Sequence, residues 1–218
     1  MDRVKFLHDA VQSEDNTVQR QALNLLEVLA KNSPISVLQL LEQLDAAGHA
    51  IVRYAMAFDY DFMVEQWLAL LTDLASANDG GSSASRVSNL LHNSDPNNTA
   101  PCAFLSDASG EGVMLQFLKL LQKLCPVEPS RVLTLLELKP AGCPTSLHRI
   151  LAMHLSPEPG HVVDLRQALD IRCEISTLLK NLLSNTSLIS NESGKNRIKI
   201  LILAQDKQGR TIDDLLRQ

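Results

Sequence analysis

At 218 residues, 45% of them hydrophobic but only 4% aromatic, the chain can bury a sizeable core built from Leu, Ile, Val and Ala. No window approaches the roughly 18 apolar residues needed to span a bilayer, and a formal net charge of −5 argues against general binding to nucleic-acid phosphates. That charge is uneven: residues 1–109 hold 14 acidic and 6 basic side chains, giving −8, whereas residues 110–218 hold 11 and 14, giving +3.

The opening "MDRVKFLHDAVQSEDN" has neither the apolar run nor the cleavage site of a signal peptide. Cys102, Cys125, Cys143 and Cys173 show no C-x-x-C spacing, so a reduced, cytoplasmic setting is expected, with the thiols as small core residues. Matches to Asn-x-Ser/Thr at Asn97, Asn185 and Asn191 are then expected to be chance rather than glycan acceptors.

The predicted elements fall into repeated units. Unit one, approximately 1–44, begins with a helix around Leu7 and continues with the grid Leu-x-Leu-Leu-x-x-Leu in "LNLLEVL" (23–29). A third helix follows on Val37-x-x-Leu40-Leu41, with Ser33 as N-cap and Pro34 in the first turn, where its missing N–H costs nothing. The link "DAAG" (45–48) opens unit two, 45–94, with Val52, "LALLTDL" (68–74) and Val87-x-x-Leu90-Leu91; here "NDGGSSAS" (78–85) reads as a flexible connector.

Unit three, 95–138, starts at "DPNN" and carries Cys102, "LKLLQKL" (118–124), Pro129 and Val132-x-x-Leu135-Leu136. Unit four, 139–205, starts at "KPAG" and carries Leu147, a degenerate grid "STLLKNL" (176–182) and Ile198-x-x-Leu201-Ile202. Leu7, Val52 and Cys102 each precede their grid by 16 residues, but Leu147 precedes its own by 29, a surplus read as a loop and an added helix in 156–171. "DKQG" (206–209) then opens a partial fifth unit or cap, 206–218. Gly48, Gly142, Gly209 and Asn98 suit a backbone position of positive φ in the recurring turn. The reading is therefore an all-α stack of about four three-helix units, each grid a course of one continuous core.

These turns and the residues after them resemble ankyrin repeats, whose signature is D-x-x-G-x-T-P-L-H-x-A. "DAAGHAIVRYA" matches at Asp45, Gly48 and Ala55; "CPTSLHRIL" at Thr145, Leu147 and His148; "FLHDA" at Leu7, His8 and Ala10; and "DKQGRTIDDLL" at Asp206, Gly209 and Thr211. Intervals of 45, 50 and 45 between first helices exceed the usual ankyrin period of about 33. The long three-helix form is similar to the divergent ankyrin-like repeats of type IV-secreted effectors of intracellular bacterial pathogens. That resemblance implies a helical repeat domain spanning 1–218, non-enzymatic binding to a eukaryotic host protein, and residence first in bacterial and then in host cytoplasm. An armadillo or HEAT-like superhelix is the structural alternative. An intracellular scaffold unrelated to infection is the functional one.

Catalytic and metal readings are weaker. Cys143 and His148 make a conceivable nucleophile and base, and Cys102 a second thiol, but His148 stands at the ankyrin-type histidine position, where a structural hydrogen bond is the rule. His154 and His161 lack further ligands, and the Gly80-Gly81 pair lacks the lysine of a phosphate loop. No catalytic residue, cofactor or metal is expected. Binding is expected on first helices and inter-unit turns, through Arg53, Tyr54, Tyr60, Asp61, Phe104, Arg149 and His154. Trp67, just before a grid, is expected in the core.

Overall fold

A computed structural model describes residues 3–57, 60–92, 110–138, 145–155, 165–206 and 208–217. Every regular element among them is a helix; a single isolated antiparallel bridge, Leu44 with Ala50, closes one turn. The chain divides into two compact units, Met1–Leu105 and Ser106–Gln218.

In the first unit the helices are α1 (Arg3–Val11), α2 (Asn16–Asn32), α3 (Pro34–Leu41), α4 (Ile51–Ala55), α5 (Asp61–Ala75) and α6 (Ser82–His92). Local chemistry starts them where the sequence says it should. The Asp15 carboxylate accepts from the Thr17 amide at 2.7 Å at the head of α2. Pro34 opens α3, although the Ser33 hydroxyl meets Ser36 instead of capping the backbone. The stretch expected as a flexible connector is an ordered turn. Gly80 and Gly81 take positive φ, and Asp79 accepts from the Ser83 amide and hydroxyl at 2.9 and 2.6 Å, which starts α6 at Ser82.

Like packs on like. Helix α1 meets α4, α2 meets α5, and α3 meets α6, so the second trio stacks on the first element by element. The second unit repeats the scheme with α7 (Glu111–Leu124), α8 (Pro129–Glu137), α9 (Ser146–Leu155), α10 (Leu165–Ser184), α11 (Thr186–Ile189), α12 (Glu192–Leu203) and α13 (Ile212–Arg217). There α7 meets α10, α8 meets α12, and α9 meets α13. The architecture is all-α with helical-repeat character.

The surplus in 156–171 is partly absorbed by lengthening. Residues from Leu165 onward belong to one continuous helix with the grid, α10, and not to a separate one; residues 156–164 lie outside the described part. Asn185 and Asn191, expected as chance glycan motifs, are N-caps: Asn185 accepts from the Ser187 and Leu188 amides, and Asn191 from the Ser193 amide. Gly194 lets α12 pass close to α11, since a Cβ there would lie 2.5 Å from the Leu188 carbonyl oxygen.

The core is the grid, with one correction. Leu68, Leu70, Leu71 and Leu74 in α5, and Leu118, Leu120, Leu121 and Leu124 in α7, are all at most 2% exposed, and Trp67 is buried among them. Of the grid leucines in α2, however, only Leu23 and Leu26 are buried; Leu25 is 52% and Leu29 39% exposed. At 100° per residue, Val18, Leu25 and Leu29 share a stripe roughly opposite Arg20 and Glu27, which face α5. The first copy therefore has the grid of an interior course but is covered on one side only.

Candidate interaction surface

The recurring turn is built identically at its two described sites. Asp45 Oδ1 accepts from the Ala47 and His49 amides at 2.8 and 2.9 Å, its own amide donates to the His49 carbonyl, and Gly48 (φ 79°) donates back to the Asp45 carbonyl. Asp206 repeats each of these bonds with Gln208, Arg210 and Gly209 (φ 77°). A glycine holds the last place because a side chain at positive φ is strained. The second carboxylate oxygen finds a different partner in each: the Tyr54 hydroxyl donates to Asp45 at 2.5 Å, and Arg210 Nε donates to Asp206 at 2.8 Å.

Tyr54 is therefore part of the turn. Burial and the Asp45 carboxylate push its pKa up to about 12, with the Arg53 charge opposing. Burial raises the Asp45 carboxyl, but the Tyr54 hydroxyl and the His49 and Ala47 amides outweigh that, leaving it below the ordinary range. The His8 and His49 rings stand edge-on to Tyr54, with centroids at 6.2 and 6.0 Å.

His8 and His148 are both buried and hydrogen-bonded. His8 Nε2 donates to the Gln43 carbonyl at 3.2 Å, two residues before Asp45. His148 is 1% exposed; its Nδ1 meets the Thr145 hydroxyl at 2.7 Å, and its amide donates to the same oxygen at 3.3 Å. Burial lowers the His148 pKa, while the backbone of Ala204, two residues before Asp206, works the other way. The buried ring is therefore neutral, with Thr145 at the head of the same helix as its hydrogen-bond partner.

Third helices are tied by ion pairs. Arg86 of α6 grips Glu42, the residue that caps α3, with two bonds of 2.7 and 2.6 Å. Arg197 of α12 grips Glu137 of α8 through Nε and Nη2, at 3.0 and 2.5 Å, and also reaches Thr134.

Of the expected binding residues, Tyr60 and Asp61 stand exposed together. Tyr60, 56% exposed, is the N-cap residue of α5, and Asp61 opens its first turn, where the helix dipole favours a carboxylate. Next to them Phe62 is 51% exposed, with the Arg20 guanidinium 5.3 Å above its ring. Sequence reasoning missed Arg20 and Phe62, because they lie on different helices. Arg53 is half-buried. Phe104 lies outside the described residues, and Arg149 and His154 are on α9 with side chains outside the described part. The cysteine chemistry is also partly visible: Cys125 is buried, which pushes its thiol up to about 11, and Cys173 is exposed. Cys102 and Cys143 lie outside the described residues. Among the described residues there is no cluster of three or more His, Cys, Asp or Glu able to hold a metal, and no helix long and apolar enough to cross a membrane. No family model matches the chain, and neither curated proteins nor solved structures give a match.

Proposed function

We propose that this protein is a non-enzymatic helical-repeat module that binds another protein. One observation carries the reading: Tyr60 and Phe62 are both exposed at the head of α5, with the Arg20 guanidinium over the Phe62 ring, on a scaffold whose turns and third helices are locked. Tyr and Arg are the side chains that most often dominate interface energies, and a rigid support lowers the ordering cost of docking. The resemblance to secreted ankyrin-like effectors makes a eukaryotic host protein the partner class we put forward.

The test uses the full chain as bait in eukaryotic lysate, followed by titration of the purified captured protein. Tyr60→Ala with Phe62→Ala should leave the helical circular dichroism and melting temperature near wild type and weaken binding by tenfold or more. Equal affinity of that variant for the captured protein would remove this patch from the reading.

A further inference from the structure

Where α2 and α5 pack together, the seam between them opens into a cavity of about 450 Å³ near the C-terminal ends of both helices. Its floor is apolar, made by Leu70 and Leu74 of α5 with Ala30 of α2 and Pro34 at the head of α3. Its rim is charged, with Glu27 and Lys31 from α2 and Asp73 from α5. The volume lies within the roughly 300–1,000 Å³ typical of ligand pockets.

Three features make this a place for a cation. Two carboxylates share the rim with one ammonium group, and no ion pair among the described residues neutralises Glu27, Lys31 or Asp73. Helix α2 ends at Asn32 and α5 at Ala75, so Ala30, Lys31, Asp73 and Leu74 lie in last turns, where the helix dipole is negative. Pro34 heads α3 from the same wall but has no amide hydrogen to offer an anion. A wholly apolar ligand is disfavoured too, since it would strip water from Glu27 and Asp73 and return no hydrogen bond.

The seam already accommodates a guanidinium. Arg20 lies two turns before Glu27 on the same stripe of α2, and its guanidinium stands over the Phe62 ring of α5, 5.3 Å from the centroid. An arginine also matches the division of the cavity into floor and rim. Its aliphatic stem covers apolar surface while the charged head stays at the edge. Its planar head carries five N–H donors and can serve two carboxylates at once, which the point charge of lysine does less well.

We propose that the α2–α5 cavity receives an arginine side chain of a partner protein, with the stem on Leu70 and Leu74 and the guanidinium against the carboxylates of Glu27 and Asp73. That the arginine comes from a protein rests on the binding reading above. The cavity shares no lining residue with the Tyr60–Phe62 patch, so the two surfaces can be tested apart.

The probe is acetyl-Leu-Arg-Leu amide, titrated into the full chain carrying isotope-labelled alanine and leucine methyl groups and followed by nuclear magnetic resonance. Saturable shifts are expected at the Ala30, Leu70 and Leu74 methyls. The citrulline peptide, neutral but of the same shape, should bind at least tenfold more weakly, and the lysine peptide several-fold more weakly. Glu27→Gln with Asp73→Asn should weaken the arginine peptide at least tenfold. Lys31→Ala should tighten it, because a like charge leaves the rim. Asp73 and Lys31 are exposed, so Asp73→Asn alone and Lys31→Ala remain informative if the double variant misfolds. Tyr60→Ala with Phe62→Ala should leave the peptide affinity unchanged, which separates failure of this cavity from failure of the aromatic patch. No saturable shift up to tens of millimolar peptide, equal affinity of the citrulline peptide, or weaker binding by Lys31→Ala overturns the proposal. So does tighter binding of acetyl-Leu-Glu-Leu amide, which would make the site one for an anion. Equal affinity for free arginine overturns it as well, since the ligand would then be the amino acid and not a protein side chain.

Discussion

Leu25 and Leu70 hold the same place in successive copies of the grid, yet one is 52% exposed and the other 2%. Truncating each to alanine therefore tests whether the first copy is covered on one side only. Leu70→Ala removes a buried isobutyl group from the α2–α5 contact, and such changes cost about 2–5 kcal/mol through lost transfer energy and the cavity left behind. For a chain of this size that corresponds to a fall in melting temperature of about 2–4 °C per kcal/mol, or roughly 6–12 °C for a 3 kcal/mol loss. Leu25→Ala gives up only the covered half of a side chain whose full burial contributes about 1.5–3 kcal/mol, and it leaves no closed cavity. Its cost should be at most about 1.5 kcal/mol, offset slightly by the better helix propensity of alanine.

The pair is well matched because both variants make the same chemical change in a helix, so denatured-state effects largely cancel. Thermal and urea unfolding, followed by far-ultraviolet circular dichroism at low micromolar concentration, would read the difference. Leu120→Ala and Leu178→Ala, both in fully buried grid places, should behave like Leu70→Ala. If Leu25→Ala were as damaging as Leu70→Ala, the α2 face would be covered, and the argument from exposure would fall.

Tyr54→Phe should cost about 1–2 kcal/mol at neutral pH by removing the bond to the Asp45 carboxylate. Because the Asp45 pKa is lowered by folding, its contribution is full above the unfolded value of about 3.9 and is lost as pH falls through the folded one. The gap between wild type and Tyr54→Phe should therefore narrow in acid melts, and a gap independent of pH would count against the carboxylate bond. His148 is lowered by burial, so the folded state prefers the neutral ring; stability should decline as pH drops below about 6.5, and His148→Gln should flatten that slope. An unchanged slope between pH 6.5 and 5 would refute a buried neutral ring. Gly194→Ala drives a methyl group against the Leu188 carbonyl and should lose about 1–3 kcal/mol in urea titration, whereas a neutral result would mean that α11 and α12 separate easily.

Much of the fold was legible because it is written in local chemistry. The Leu grid and the Val-x-x-Leu-Leu signature specify helices and their buried faces, and Asp45 with Gly48 builds its turn within five residues, as Asp206 and Gly209 do again. What was not legible depends on neighbours. The grid is the same in α2 and α5, and only the presence of a packed helix decides whether Leu25 or Leu70 is buried. Tyr54 reads as an interface anchor until the Asp45 carboxylate is found within reach of its hydroxyl. Arg20 and Phe62 meet across two helices with no spacing rule to announce them.

The two Arg–Glu pairs divide the work of the fold differently from the leucines. A stripe of leucines is tolerant: slid by a turn, it still finds apolar neighbours, so burial alone stabilises a stack without choosing its register. Arg86 and Arg197 each stand immediately before the recurring Val or Ile, and Glu42 and Glu137 each stand five residues after it. Half-buried, bidentate pairs of this kind contribute little net stability, because desolvation offsets much of the attraction. Their geometry is exacting, however, and a slipped third helix would leave a guanidinium and a carboxylate without partners in partly buried sites, an outcome that costs several kcal/mol. Register thus resides in the ion pairs and bulk stability in the grid.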